Sequence, residues 1–217
     1  TASGTAAIAT TLMVILRTGD HIVASSSLYG GTYNLLANTL PRFGITTTFV
    51  DPDNPNEFTK AVKSNTRLFF AESLGNPKLD VIDLKSISDA SKKAKVPFIV
   101  DNTVASPALL NPIEHGANIV IHSLTKYLTG NGTSIGGVII DAGTFDWANG
   151  NFPEFTEPNP SYHGLNYHEA LGNIAFIAKV RIEGLRDLGS APSPFNSFQS
   201  IQGIETLDIR KKKHSEN

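Results

Sequence analysis

Pro97-Phe98-Ile99-Val100-Asp101 and, 25 residues beyond that acid, a lysine in Val120-Ile121-His122-Ser123-Leu124-Thr125-Lys126-Tyr127 decide how this chain reads. Each stretch is a short apolar run rich in β-branched and aromatic residues that ends in chemistry. The first delivers an acid at its tip, and the second delivers two hydroxyls and a lysine. Open α/β sheets hold their ligands outside the carboxyl ends of their strands, where such groups would sit. Working outward, apolar runs at 21–25, 46–50, 68–72, 98–101, 119–122 and 137–140 read as strands. Helical patterns at 33–40, 56–62 and 84–94 fall between them, the third opened by Asp83 or Leu84 and bounded by Pro97. This alternation predicts a mostly parallel sheet with helices on both faces. Residues 141–165 are rich in Gly, Asn, Pro and aromatics without a period, and a loop of that length is expected to be functional or to cover a site.

An acid, a lysine and two hydroxyls at this spacing suit an aldehyde cofactor with a pyridine nitrogen at one end and a phosphate at the other. Pyridoxal 5'-phosphate (PLP) fits, with Lys126 for a Schiff base, Asp101 for the pyridinium, and Ser123 and Thr125 for the phosphate. A nucleotide-binding strand ends in an acid in the same way, but that reading requires G-x-x-x-x-G-K-[ST] upstream, and no such string exists here. Thr1-Ala2-Ser3-Gly4-Thr5-Ala6-Ala7-Ile8 reads as a glycine turn opening an apolar helix, or as an ordinary tight helix start. In the first reading small residues let backbone N–H groups approach an anion that the helix N-terminus favours. In Ser27-Leu28-Tyr29-Gly30-Gly31-Thr32, the tyrosine either lies flat on an aromatic ring or is a half-buried loop residue.

With 217 residues, 40% of them hydrophobic, the chain can bury a substantial core. A net charge of −2 gives no preference for nucleic acid or membrane surfaces. No cysteine is present, which excludes disulfides and thiolate metal sites within the chain. His163 and His168 have no third ligand at convincing spacing, so no metal site is expected. Lys211-Lys212-Lys213 reads as a solvated helix turn, and His115 before Gly116 as the end of a glycine-capped helix. His122 reads as a satisfied packing histidine or as a residue supporting the phosphate hydroxyls from behind, and Arg181, Glu183 and Arg186 as an exposed or interface helix face. Neither a signal-peptide pattern nor a long uncharged apolar span occurs, which favours the cytoplasm.

The strings Ser3-Gly4-Thr5-Ala6-Ala7, Leu28-Tyr29-Gly30-Gly31-Thr32, Glu72-Ser73-Leu74-Gly75-Asn76-Pro77, Val100-Asp101-Asn102-Thr103, His122-Ser123-Leu124-Thr125-Lys126-Tyr127 and Gly130-Asn131-Gly132-Thr133 carry a resemblance. Over essentially its whole length the chain resembles the Cys/Met-metabolism group of fold-type-I PLP enzymes. Pro160-Ser161-Tyr162-His163-Gly164-Leu165, Leu185-Arg186-Asp187-Leu188-Gly189 and Ser193-Pro194-Phe195-Asn196 are similar to its O-acetylhomoserine sulfhydrylase branch. The resemblance implies a three-layer α/β/α large domain of the fold-type-I transferases. It implies that Lys126 bonds the cofactor and shuttles protons, that Asp101 pairs with the pyridinium, and that Tyr29 stacks on the ring and takes part in proton transfer. Gly4 and Thr5 would give amides to the phosphate, joined by the hydroxyls of Ser123 and Thr125. Asn76 would lie near the ring's 3'-oxygen or the substrate carboxylate, Thr103 beneath the ring, and Glu72 nearby. The implied reaction replaces the acetate of O-acetylhomoserine by sulfide or methanethiol. Cystathionine γ-synthase, methionine γ-lyase and O-succinylhomoserine sulfhydrylase share the core motifs, and a noncatalytic scaffold is the non-enzyme alternative. The group's sites are built across subunits, usually in a homotetramer. An N-terminal tyrosine and arginine and a C-terminal carboxylate-binding arginine are also implied, and none matches a position here. The expectation is therefore a fragment, with residues 1–195 as the PLP-binding large domain and 196–217 starting the connection to a smaller one.

Overall fold

Period-two alternation of large apolar side chains builds one sheet whose central strands are buried on both faces. The structure, a computed structural model, describes residues 1–217. Strands β1 (His21–Ser25), β2 (Thr46–Val50), β3 (Thr66–Glu72), β4 (Phe98–Asp101), β5 (Ile119–Ser123) and β6 (Gly137–Asp141) lie in the order β2-β1-β3-β4-β5-β6. The first five are parallel, and β6 runs antiparallel to β5. Every expected strand is present, with ends displaced by two residues at most.

One face carries Ile22, Ala24, Phe70, Ile99 and Ile121, packed with Ala7, Ile8 and Leu12 of α1 (Gly4–Ile15). The other carries Val23, Phe69, Ala71, Phe98, Val100 and Val120, against Phe58 of α3 (Pro55–Lys60) and Ile87 and Ala90 of α4 (Leu84–Ala94). Burial of each Ile, Leu, Val or Phe among these is worth about 1.5–3 kcal/mol, so the two cores fix the strand register. Asp83 caps α4 by accepting from the Ser86 amide at 3.0 Å, and Lys95 ends it in the left-handed region. The helix expected at 33–40 begins earlier, as α2 (Gly30–Asn34), and runs through a π turn (Leu35–Thr39) into a 3-10 turn (Leu40–Phe43). No helix is long and apolar enough to cross a membrane.

The stretch 141–165 does not cover the main pocket. It contains α5 (Pro153–Thr156), and Trp147, Phe152 and Phe155 are buried in the first core. Trp147 stacks on Phe155 at 4.2 Å and on Phe176 of α7 (Ala175–Lys179) at 5.3 Å between ring centroids. An irregular segment that buries its aromatics one at a time shows no period. Glu183 is likewise not on a solvated face: it accepts from Asn159, from Tyr167 of α6 (Tyr167–Leu171) and from Lys179 at 2.7–2.8 Å. Arg181 and Arg186 are exposed, the latter opening α8 (Arg186–Leu188) and paired with Asp187 at 2.7 Å.

Two helices close the chain, α9 (Pro194–Ile204) and α10 (Leu207–Glu216). Here the lysine run departs from its solvated reading. Lys212 and Lys213 are exposed, but Lys211 is buried and donates to the Val104 carbonyl at 2.9 Å, because one side of α10 packs on the body of the chain. His122 is buried with Nδ1 unpartnered, so it is not a satisfied packing histidine, and burial pushes its pKa down to about 4. His115 ends a 3-10 turn capped by Gly116 at φ +93°, as its sequence signals. His163 and His168 belong to no cluster able to hold a metal.

Candidate active site

The chain passes from β1 outward to β2 and returns to β3 on the other side of β1, so a crevice opens at the carboxyl ends of these strands. Tyr29 follows β1, Glu72 ends β3, Asp101 ends β4 and Ser123 ends β5. All four line one pocket of about 790 Å³, together with Gly4 and Thr5 of α1, Asn76, Thr103, Thr125 and Lys126. The structure thus brings every sequence-predicted site residue to a single cavity.

At one end the pocket is built for an anion. Ser3 caps α1, its Oγ accepting from the Ala6 amide and its carbonyl from the Ala7 amide, both at 2.9 Å. The amides of Gly4 and Thr5 have no partner within the chain. A Cβ at Gly4 would lie 2.6 Å from Cβ of Ser123, so only glycine lets the start of α1 approach β5 this closely. Two free amides, the positive end of a twelve-residue helix and the Ser123 hydroxyl therefore converge on one spot. The Thr125 hydroxyl is shared, donating to the Gly136 carbonyl at 3.3 Å and accepting from the Gly136 amide at 3.2 Å.

At the other end Asp101 is buried, and its Oδ1 accepts from both the amide (3.0 Å) and the hydroxyl (2.5 Å) of Thr103. The Thr103 oxygen in turn accepts from the Ser123 amide at 2.8 Å, tying the acid end to β5. Oδ2 makes no bond within the chain. Burial pushes the Asp101 pKa up while the Thr103 bonds pull it down. A cation at this carboxylate would favour its ionised form. Glu72 accepts from the Tyr29 amide at 2.6 Å. Burial pushes Glu72 up to about 8; the Tyr29 bond opposes this, and the charges of Asp101 and Asp80 add to it.

Lys126 is exposed and lines the same pocket, at a point where the Leu124–Leu128 turn leaves helical geometry (φ −95°, ψ −124°). The Tyr29 ring is half exposed, and a Cβ at Gly31 would come within 2.5 Å of it, so the second glycine of the pair makes room for the ring. Asn76 is exposed at the same cavity. Residues missed from sequence are Val104, Leu79 and, from α10, Arg210 and His214. No local pattern marks the last two, which reach the pocket only by the folding back of the chain's last helix.

The residues present fit PLP: an amine for the aldehyde, a carboxylate for the ring nitrogen, and a glycine-dependent cradle of amides and a hydroxyl for the phosphate. A sequence profile of the Cys/Met metabolism PLP-dependent enzymes matches residues 1–217. The chain is 56% identical to the O-acetyl-L-homoserine sulfhydrylase of Leptospira meyeri and 47% identical to the homocysteine synthase of Schizosaccharomyces pombe. Each match covers 100% of this chain and 51% of the relative, so the chain spans about half the length of these proteins. Among solved structures it is similar to a Campylobacter jejuni protein assigned as an O-acetylhomoserine (thiol)-lyase, which carries N'-pyridoxyl-lysine-5'-monophosphate. That match has a TM-score of 0.95 and 40% identity, over 99% of this chain and 53% of the other. It is also similar to an O-acetylhomoserine sulfhydrylase of the Wolinella succinogenes methionine pathway (TM-score 0.83, 36% identity, covering 95% and 57%). The sheet is that of the fold-type-I PLP-dependent transferases, and the chain belongs to the Cys/Met metabolism family of PLP-dependent enzymes.

Proposed function

We propose that the whole protein uses PLP to replace the acetate of O-acetylhomoserine by sulfide or methanethiol, forming homocysteine or methionine. The observation that carries this reading is the convergence of Lys126, Asp101 and the Gly4–Ser123 cradle on one pocket, in a chain 56% identical to an O-acetyl-L-homoserine sulfhydrylase. Bound there, PLP would supply an electron sink for the negative charge that develops on the substrate carbon beside its nitrogen.

The chain's own residues have separate tasks. Lys126 anchors the aldehyde and, once released, moves the proton at the substrate's reacting carbon, being the only lysine that lines the pocket. Asp101 holds the ring nitrogen protonated, and Thr103 orients the acid through two bonds to Oδ1. The amides of Gly4 and Thr5 bind the phosphate with Ser123, and Thr125 contributes its shared hydroxyl. Tyr29 packs on the ring and Asn76 orients the 3'-oxygen or the substrate carboxylate. The proposal also includes residues 1–195 as the large domain, a following smaller domain, and a cytoplasmic homotetramer, all on the ground of kinship.

The test is the absorbance spectrum of the full-length protein with PLP, wild type beside Lys126→Ala. A visible band absent from the variant, with turnover of O-acetylhomoserine and sulfide only in the wild type, is the expected result. A band that survives in Lys126→Ala would move the anchoring amine elsewhere and overturn the assignment.

A further inference from the structure

The turn that carries Lys126 is held in part by a distant element. Its backbone leaves helical geometry at Lys126, and although the Lys126 carbonyl accepts from the Gly130 amide at 2.8 Å, the next two carbonyls are met from outside the turn. Arg210 of α10 donates from Nη1 to the Tyr127 carbonyl at 2.7 Å and from Nη2 to the Leu128 carbonyl at 3.3 Å. The same guanidinium is anchored by the Gly203 carbonyl (Nη2, 2.7 Å) and the Thr206 hydroxyl (Nε, 3.1 Å). Four of its five N–H donors are thereby committed to the chain. Although Arg210 lines the pocket, it is not free to grip a substrate carboxylate.

Neighbouring contacts point the same way. Lys211 places its ammonium 3.8 Å from the centre of the Tyr127 ring, and His214 meets that ring edge-on at 5.4 Å. Gly130 sits at φ +77°, where a Cβ would come within 2.3 Å of Nη1 of Arg210. The turn and the guanidinium therefore fit together only while position 130 is glycine. We propose that Arg210 is a positioning residue that fixes Lys126 in the pocket through the backbone of Tyr127 and Leu128, a proposal that rests on Lys126 being the amine that bonds PLP.

The experiment follows the formation of the Lys126–PLP bond in the full-length protein. Borohydride reduction at successive times after PLP addition, with the modified Lys126 peptide quantified by mass spectrometry, gives its rate. Pyridoxine 5'-phosphate, which has the ring and the phosphate but no aldehyde, reports the affinity of the rest of the site. Arg210→Met is expected to slow bond formation by about tenfold, the weight of two lost hydrogen bonds, with pyridoxine 5'-phosphate affinity unchanged. Arg210→Lys keeps the charge but not the planar fork, and is expected to be slowed as well. Gly130→Ala leaves the guanidinium in the chain but pushes it aside, and carries the same test if Arg210→Met does not fold. An equal fall in bond formation and pyridoxine 5'-phosphate affinity would mean a general brace, and unchanged bond formation would mean no role; either overturns the proposal. A wild-type chain that is trapped at another lysine, or at none, overturns the reading of Lys126 and the proposal with it.

Discussion

Replacing Glu72 with glutamine removes one titratable carboxyl from the pocket wall while keeping its shape and an oxygen to accept from the Tyr29 amide. Burial pushes the Glu72 pKa from 4.5 to about 8 in the folded chain, aided by the charges of Asp101 and Asp80 and opposed by the Tyr29 bond. A carboxyl whose pKa is raised by folding holds its proton more tightly when folded. Its contribution to stability is fully present below the unfolded value and is lost as pH rises through the folded one. Between 4.5 and about 8 each pH step therefore removes about 1.4 kcal/mol, and the loss approaches about 5 kcal/mol above that window. Glutamine does not titrate. Glu72→Gln is expected to match the wild type near the bottom of the window, and to exceed it by about 3 kcal/mol at neutral pH and about 5 kcal/mol above the top. Urea unfolding of the cofactor-free protein, followed by circular dichroism across that pH range, measures the difference directly. A difference that stays constant with pH, or a wild type that gains on the variant as pH rises, would refute the burial argument.

Two further predictions concern other parts of the same sheet. Gly4→Ala puts a Cβ 2.6 Å from Cβ of Ser123, so α1 must move off β5; the expected cost is about 1–3 kcal/mol in chemical unfolding. PLP should also bind more weakly in this variant, and an unchanged dissociation constant would remove the glycine cradle from the argument. His122, lowered by burial from 6.5 to about 4, contributes stability that is present above 6.5 and lost as pH falls through the folded value. His122→Phe should flatten the acid limb of the stability profile by about 3 kcal/mol, and parallel profiles for the two proteins would count against it.

The strands were legible because each announces itself locally. Ile22, Phe69, Val100 and Val120 lie in short β-branched or aromatic runs bounded by turn residues, and parallel strands buried on both faces need no other signal. The polar groups of the pocket were legible for a related reason, since Glu72, Asp101 and Ser123 are the last residues of such strands and Lys126 follows three residues later. Trp147, Phe152 and Phe155 were misread because irregular backbone can fill a core without leaving a period, so aromatic content alone did not separate a plug from a cover. Lys211 escapes a reading by charge alone, because a run of like charge says nothing of which side of its helix packs: α10 packs along one side, burying one lysine stem and leaving its neighbours wet.

What the sequence hid most completely is how the turn carrying Lys126 is held, and the reason lies in the separation of the pocket's polar groups from their support. A strand end fixes where a Cα emerges, and that suffices for Asp101, whose partner Thr103 is two residues away. It does not suffice for Lys126, whose turn departs from helical geometry and leaves the Tyr127 and Leu128 carbonyls to be met by another element. The donor comes from Arg210, 83 residues beyond Tyr127, and no local pattern can register a bond across that distance. The entropy of closing so long a loop grows only slowly with its length, so burial of Leu207 and of the Lys211 stem beside Arg210 can offset it. A planar fork already committed at Gly203 and Thr206 then loses little further freedom when it meets the turn. Support of the turn backbone by a remote, pre-anchored guanidinium leaves the Lys126 side chain itself free of bonds within the protein, the freedom that the proposed bonding to and release from PLP would require.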